Sequence, residues 1–129
     1  MSIRRPRHRP REPQTRGDCI SIAAPPEAVW DLITAIDTIP SWYDAWDGVD
    51  HDATTPQLQF GTSFQLIRRG RGGRGDTAHC RVTHLARPAS LEWQQSAPDT
   101  PTVTVQFRLI PAPDGSTTEL HHSRMWAAP

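Results

Sequence analysis

The sequence contains no lysine, so all fourteen of its basic residues are arginine, which we attribute to compositional bias rather than to chemistry. Two cysteines, Cys19 and Cys80, are too few for a disulfide scaffold and fit a reducing compartment. No apolar run approaches the roughly 18 residues of a membrane span, and Arg4–Arg5 precedes no apolar segment of an export signal. We therefore expect a cytoplasmic protein without membrane insertion.

Motifs for nucleophilic and metal chemistry are also missing. The sequence has no Gly-x-Ser-x-Gly, and neither cysteine stands at a predicted helix start that would lower its pKa. Adjacent residues on a strand point to opposite faces, so His121 and His122 do not suit one metal ion. No histidine pair shows a recognisable ligand spacing with a carboxylate or cysteine. We expect no metal and no cofactor.

Charge divides the chain into two unlike parts. Residues 1 to 16 carry six arginines against Glu12, whereas eight arginines and thirteen carboxylates follow from Gly17 onward. The proline- and arginine-rich residues 1 to 17 predict a disordered tail, and residues 18 to 129 predict one domain. An arm that touches nucleic acid or acidic lipid is the alternative for the tail, but we favour a solvated segment and expect no nucleic-acid partner.

A glycine-rich stretch at residues 70 to 75 also allows two interpretations. It has some likeness to an RNA-binding Arg-Gly segment, but it occurs once and has no interleaved aromatic residues. Glycines that tolerate positive φ between two strand-like segments are typical of a hairpin loop. We favour the loop.

The early part of the domain predicts a strand and two short helices. A strand at residues 18 to 24 is followed by Pro26, which suits a first helical position, and by Glu27 in the first turn. A second helix is predicted around Pro40. Each helix has an apolar stripe at i, i+3, i+4 and i+7. The stripes are Val29, Leu32, Ile33 and Ile36 in the first helix, and Ile39, Trp42, Tyr43 and Trp46 in the second.

Strand-like segments separated by turns fill the rest of the chain. The clearest alternation lies in residues 102 to 110, where Val103, Val105, Phe107 and Leu109 point one way. Strands at roughly ten-residue spacing predict an antiparallel meander with one buried face, and with the helices an α+β fold. The predicted strands span residues 48–54, 61–69, 76–86, 89–96, 102–110 and 116–126.

Two stretches carry a resemblance to a known family: Ala-Pro-Pro-Glu-Ala-Val-Trp-Asp-Leu-Ile-Thr at 24–34 and Ile-Pro-Ser-Trp-Tyr-Asp-Ala-Trp at 39–46. With Gly61 before Phe64, and Phe107-Arg-Leu-Ile-Pro before Asp114-Gly115, the chain resembles the START-like (SRPBCC) superfamily. That superfamily includes the polyketide cyclase/dehydrase and lipid-transport proteins. The resemblance implies a helix-grip fold: a curved antiparallel sheet of about six to seven strands, two short helices after strand 1, and an apolar cavity.

The sequence departs from this family where the final helix is expected. In the family the sheet wraps a long C-terminal helix, whereas this chain stops at Pro129, shortly after Trp126. A helix that buries about six large side chains contributes on the order of 10 kcal/mol. We therefore expect the C-terminal grip helix to be absent and the open apolar face to be covered by a ligand, by further residues, or by a partner subunit, for example in a homodimer.

The resemblance implies binding of a hydrophobic or aromatic small molecule, lipid or polyketide-like, with polyketide cyclase/dehydratase acid–base chemistry as an added activity. The alternative is a protein-interaction domain whose open apolar face docks a partner subunit. As catalytic candidates we name His84, His122, Arg124 and Tyr43; Arg124 suits a carboxylate or enolate, and histidine titrates near neutral pH. Trp126 is part of the aromatic set of a ligand pocket. The predicted ligand-binding residues are Trp42, Tyr43, Trp46, Phe64, Leu66, Trp93, Val105, Phe107, His122 and Arg124.

Overall fold

A computed structural model describes residues 13–43, 45–52, 54, 56–70 and 75–127. Seven strands form one antiparallel, curved and unclosed sheet in the order β1-β7-β6-β5-β4-β3-β2, with two short helices after β1. This confirms the predicted α+β meander. The elements are β1 Pro13–Ile22, α1 Pro26–Ile33, a 3-10 turn Ile36–Thr38, α2 Ile39–Trp42, β2 Gly48–Asp50, β3 Ser63–Arg69, β4 Gly75–Ala86, β5 Ser90–Ser96, β6 Val103–Pro111 and β7 Thr118–Ala127.

The first strand begins earlier than the sequence indicated. β1 starts at Pro13 and pairs with β7 along its whole length, from Pro13 opposite Ala127 to Ile22 opposite Thr118. The predicted disorder is therefore wrong for residues 13 to 17. Pairing at a sheet edge uses backbone groups, so it does not need the apolar side chains that this segment lacks. Residues 1 to 12 lie outside the described part, and their interpretation as a solvated tail stays a prediction.

Helix α1 begins as its sequence predicts but buries a different stripe. Pro26 occupies the start of the helix and Glu27 lies in its first turn. Val29, Trp30 and Ile33 are buried, whereas Leu32 is 48% exposed. The prediction was wrong for Leu32, because the helix turns the side of Val29, Trp30 and Ile33 toward the core and leaves Leu32 at the solvent-facing edge of that stripe.

Helix α2 is a single turn that ends at Trp42, earlier than its predicted stripe. At Tyr43 the backbone leaves helical geometry, with φ −106° and ψ 87°. As a result Ile39 and Trp46 are buried, while Trp42 and Tyr43 are half-buried against the concave face of the sheet. The short helix thus ends with two aromatic side chains above the sheet.

One face of the sheet forms the core. Strand alternation places large apolar side chains on the concave face, under α1 and α2, as predicted for the strands with one buried face. The helices contribute Val29, Trp30, Ile33, Ile36 and Ile39 to the same core. The strand residues of the core are Phe64, Leu66, Ala78, Cys80, Val82, Leu91, Trp93, Val105, Phe107, Leu109 and Leu120.

The ends of the described segments leave two predictions open. Arg69 pairs with Gly75, so β3 and β4 are adjacent antiparallel strands, but the connecting residues 71–74 and the Arg-Gly interpretation lie outside the described residues. No helix follows β7 within the described residues. Among the helices that the structure describes, none is long and apolar enough to cross a membrane.

Candidate functional site

An open cleft of about 750 Å³ lies at one end of the concave face. It is built where β3, β5 and β7 end and where β4 and β6 begin, so that side chains from five strands converge on it. Tyr43 and Trp46, which follow α2, form one border, and the loop after β5 forms another. The cleft lies beyond the part of the sheet that the helices cover. The side chains that give it its character are Tyr43, Trp46, Arg68, Gln95, Arg124 and Trp126.

Two arginine–tryptophan pairs line this cleft. The Arg124 guanidinium carbon lies 5.9 Å from the Trp126 ring centroid, and that of Arg68 lies 5.2 Å from the Trp46 ring. Arg68 also forms a half-exposed salt bridge to Asp76, with 2.7 Å between Nη2 and Oδ2. Arg124 differs because its buried Nε has no hydrogen-bond partner among the described residues. Part of the hydrogen-bonding capacity of Arg124 is therefore unused within the described residues.

Tyr43 separates the cleft from a second, smaller cavity. This cavity has a volume of about 260 Å³, and Tyr43 lines both spaces. Burial raises the pKa of Tyr43 to about 12, and the opposing effect of the nearby Arg124 charge is smaller. At neutral pH Tyr43 is therefore an uncharged phenol that can donate a hydrogen bond. The smaller cavity is also lined by Asp18, Ile20, Trp42, Phe107 and His122.

His122 is a titratable side chain that lines the smaller cavity, and one of its ring nitrogens forms no hydrogen bond within the described residues. Its Nδ1 lies 3.6 Å from Oδ2 of Asp18, its partner in the β1–β7 register. Its Nε2 is buried and has no hydrogen-bond partner in the described structure. Burial lowers the pKa of His122, although Asp18 raises it by a smaller amount. The imidazole is therefore neutral at pH 7 and stacks on Phe107 at a centroid distance of 4.9 Å.

The structure divides the predicted ligand-binding residues into two groups. Leu66, Trp93 and Val105 are fully buried, and Phe64 packs edge-on against Trp93 at 5.2 Å. These four side chains line neither the cleft nor the smaller cavity, so they form core and not the surface of the site. The other predicted residues do line these spaces: Trp42, Tyr43, Trp46, Phe107, His122 and Arg124.

The structure places His84, one of the catalytic candidates, away from both cavities. A bulge between Val82 and His84 shifts the strand register and places His84 opposite Glu92. The side chain is exposed, and its Nε2 lies 2.8 Å from Oγ of Ser90. Because a bulge interrupts the two-residue alternation, residues after it point to the other face. His84 is thus outside the cleft and the smaller cavity.

Sequence reasoning missed two side chains of the site. Gln95 is buried beside the cleft, and its Oε1 accepts a hydrogen bond from Nε1 of Trp93 at 3.2 Å. The alternation Leu91, Trp93, Gln95 on β5 would have identified it. Asp18 lies beside His122 only because β1 pairs with β7, and no local pattern in the sequence carries that register.

Comparisons with solved structures reveal the same fold in several bacterial proteins. The Zhui aromatase/cyclase from Streptomyces sp. R1128 superimposes with a TM-score of 0.71 at 16% identity, over 92% of this chain and 70% of that chain. A protein from Deinococcus radiodurans gives 0.68 at 12% identity, over 88% of this chain and 83% of its own. One from Rhodobacter sphaeroides gives 0.67 at 22% identity, over 92% and 80%. At these identities the likeness establishes the fold alone.

Comparison at the level of sequence assigns the family. No curated protein sequence matches the chain. A family profile described as polyketide cyclase / dehydrase and lipid transport matches residues 18–127, which is most of the chain and includes every strand after the start of β1. The chain therefore belongs to the polyketide cyclase / dehydrase and lipid transport family, within the START-like (SRPBCC) superfamily.

Proposed function

We propose that the cleft binds a hydrophobic or aromatic small molecule that carries an acidic group. The observation that carries this proposal is the position of Arg124: its buried Nε lacks a partner among the described residues, and its guanidinium lies against Trp126 in a cleft of about 750 Å³. A volume of this size is within the range of small-molecule sites, which is roughly 300–1,000 Å³. The occupant would be flat enough to lie between the tryptophans.

Each side chain of the cleft has a role in this proposal. The half-buried Trp126 would offer aromatic surface to an apolar body, and the buried Trp46 forms part of the apolar wall of the cleft. Arg124 would pair with a carboxylate or enolate, and a guanidinium binds such groups through two parallel hydrogen bonds. The Tyr43 phenol would donate a hydrogen bond to a carbonyl oxygen, since its pKa of about 12 keeps the proton on the side chain.

The class of ligand is supported by the family and by one structural neighbour. The family description joins polyketide cyclase / dehydrase proteins with lipid transport, which are both functions that handle hydrophobic molecules. The Streptomyces neighbour is named an aromatase/cyclase. For this chain we propose a polyketide-like aromatic acid or a lipid acid as the ligand, and carriage of that ligand as the basic activity.

A second candidate function is polyketide cyclisation or dehydration, and His122 favours it. A neutral imidazole with an unused Nε2 can accept a proton from a carbon between two carbonyl groups, provided that Nδ1–H points to Asp18. The enolate oxygen would be held by Tyr43 or Arg124, and the enolate carbon would attack a second carbonyl of the same chain. The imidazolium would then give its proton to the alkoxide that this attack forms, which completes the cyclisation. In the dehydration, His122 would take the second proton from the same carbon and pass it to the new hydroxyl, which leaves as water while the C=C bond forms.

Tryptophan fluorescence can test the binding proposal directly. We expect a polycyclic aromatic carboxylate to quench the fluorescence with saturation, and its uncharged amide analogue to bind more weakly. Arg124→Gln should weaken the carboxylate about tenfold or more and the amide by much less, because it removes only the charge-assisted contact. Phe60→Ala is the matched control, since Phe60 is 71% exposed and lies outside the cleft. Equal affinities in all three proteins would contradict the proposal.

Turnover separates the enzyme from the carrier. With a poly-β-ketone thioester as substrate, a cyclase should lose at least about tenfold of its rate in His122→Ala and in Arg124→Ala. Unchanged rates in both variants would eliminate the catalytic proposal and leave carriage in place. Ligand affinity should be measured on the same variants, so that a loss of binding is not mistaken for a loss of chemistry.

The docking alternative predicts a different result. If the open concave face receives a partner subunit, native mass spectrometry should reveal a stable homodimer or complex, and the fluorescence of the tryptophans should not respond to aromatic acids. A monomer that retains a small molecule after purification would instead support carriage.

A further inference from the structure

A second cluster of reactive side chains lies on the convex face, away from the cleft. Cys19 of β1 stands directly opposite His121 of β7, and Glu119 lies two residues before His121 on the same strand. The Sγ of Cys19 lies 3.5 Å from Nε2 of His121 and 3.8 Å from Oε1 of Glu119. The distance from Nε2 of His121 to Oε1 of Glu119 is 2.8 Å. Sulfur, nitrogen and oxygen donors thus converge on one point.

These separations are close to those of a tetrahedral metal site. With zinc bonds of about 2.3 Å to sulfur and about 2.0–2.2 Å to nitrogen and oxygen, tetrahedral angles require ligand atoms about 3.4–3.6 Å apart. The two distances from Cys19 Sγ meet or lie near this range. The shorter His121–Glu119 distance is a hydrogen bond that an ion would replace, and a small side-chain rotation provides the extra space.

We propose that Cys19, Glu119 and His121 bind a zinc-class divalent transition metal ion on the convex face. A thiolate and a carboxylate together balance the two positive charges of the ion, and the neutral imidazole completes a mixed donor set of the kind that zinc prefers. The fourth position is left for water. A depression of about 420 Å³ beside Cys19 and His121, bordered by Arg108, leaves it open to solvent.

Binding requires proton release from the cysteine. Partial desolvation and the neighbouring Glu119 carboxylate raise the pKa of the Cys19 thiol, so the ion-free cysteine is protonated at neutral pH. The metal forms a bond to sulfur, and the S–H proton passes to buffer. His121 must present the Nε2 lone pair and carry its own proton on Nδ1.

The site would join the edge of the sheet to its neighbour. Among the strands that the structure describes, β1 lies at the edge of the sheet and pairs with β7, and the cluster draws one ligand from β1 and two from β7. An ion that binds the folded state but not the unfolded chain raises the free energy of unfolding. The increase grows with the logarithm of the ratio of the ion concentration to the dissociation constant. We therefore expect the ion to raise the thermal midpoint of unfolding.

Cobalt provides the direct test, because Co²⁺ occupies zinc sites and absorbs light. The full chain, kept reduced with a phosphine, should develop thiolate-to-cobalt charge-transfer absorption and tetrahedral visible bands at one equivalent, and Zn²⁺ should abolish both. Cys19→Ser should lose the charge-transfer band, and His121→Ala should bind about tenfold or more weakly. His84→Ala is the matched control, since this exposed histidine lies outside the cluster.

Several results would overturn the proposal. It fails if Cys19→Ser keeps the charge-transfer band, if His84→Ala weakens binding as much as His121→Ala, or if the wild type gives no saturable spectrum. The thermal midpoint gives an independent check on folded protein: Zn²⁺ should raise it in the wild type and in His84→Ala, but not in Cys19→Ser. Circular dichroism of each variant confirms that the sheet is intact.

Discussion

The concave face of the sheet has two halves with different properties. Under α1 and α2, side chains such as Trp93 and Phe107 are almost fully buried and pack edge-on or tilted against their aromatic neighbours. At the other end, Arg124 and Trp126 are half-buried and border the open cleft. The same strands form both halves. Whether a segment of chain lies above the sheet decides which residues stabilise the fold and which remain available to a ligand.

Two strands cross from one half to the other, and their side chains change along the way. On β5, Leu91 and Trp93 in the covered half are followed by Gln95 at the cleft. On β7, buried Leu120 is followed on the same face by His122 and then by Arg124. Polar side chains thus occur beside the cleft and the smaller cavity, and apolar side chains where the helices exclude water. Residues that stabilise the fold and side chains that border the cleft therefore lie on different parts of the same strands.

The largest expected difference is in the free energy of unfolding, between two variants that each lack one tryptophan, one from each half of the concave face. Trp93→Ala should lower the free energy of unfolding by about 3–5 kcal/mol, because it leaves a cavity where the side chain has 0% exposure. Trp126→Ala should cost about 1 kcal/mol or less, since that side chain is only half-buried. Urea denaturation measures both. Similar losses in the two variants would mean that the open half is as much a part of the core as the covered half.

Tyr43 lies at the border between the covered half and the open half of the concave face. The second-largest expected effect is the pH dependence that this residue gives to the stability of the fold. Because its pKa is raised from 10.0 to about 12, the stability it contributes is present below pH 10 and is lost as the pH rises from about 10 to about 12. The loss should be on the order of 2 kcal/mol. Tyr43→Phe should reduce this dependence but not abolish it, because burial also raises the pKa of Cys80 from 9.0 to about 12. The stability linked to Cys80 is lost as the pH rises from about 9 to about 12.

The sequence makes this titration easy to observe. The protein has one tyrosine, so tyrosinate absorption in the near ultraviolet reports Tyr43 alone. An absorption midpoint near pH 10 in the folded protein would contradict the buried position of the ring and would weaken the boundary between the two halves.

Arg124 should affect binding and leave the fold unchanged. Arg124→Gln should reduce the affinity for an aromatic carboxylate about tenfold, or about 1.4 kcal/mol, while the free energy of unfolding changes by less than about 0.5 kcal/mol. Fluorescence titration and urea denaturation of the same preparation measure the two quantities. A large loss of stability with unchanged affinity would place Arg124 with the core residues.

The smallest expected effect tests the orientation of α1 over the covered half. Leu32→Ala should change stability by less than about 0.5 kcal/mol, because this side chain is 48% exposed. Ile33→Ala, one position later and buried, should cost about 2–5 kcal/mol. Equal costs, measured by urea denaturation, would mean that the helix presents its predicted stripe, Leu32 included, to the sheet.

Much of the site was predictable and part of it was not. The apolar alternation of β6 and the aromatic end of the helical region singled out Phe107, Tyr43 and Trp46, and Arg124 was a polar candidate on the last strand. All four line the cleft or the smaller cavity. The same reasoning assigned Trp93 to the ligand, although α2 and its neighbours cover that ring completely. Alternation indicates which face a side chain is on, but it does not indicate what covers that face.

The sequence alone determined the α+β architecture, the antiparallel meander and the family, because these follow from local periodicity, turn residues and motifs that lie close together in the chain. Only the tertiary structure decided that α2 ends at Trp42, that a bulge turns His84 away, and that Asp18 meets His122 while Cys19 meets His121. The partners in the last two pairs are about a hundred residues apart. Their contact depends on strand register, which is set by backbone pairing and packing across the whole sheet, so no nearby residues encode it.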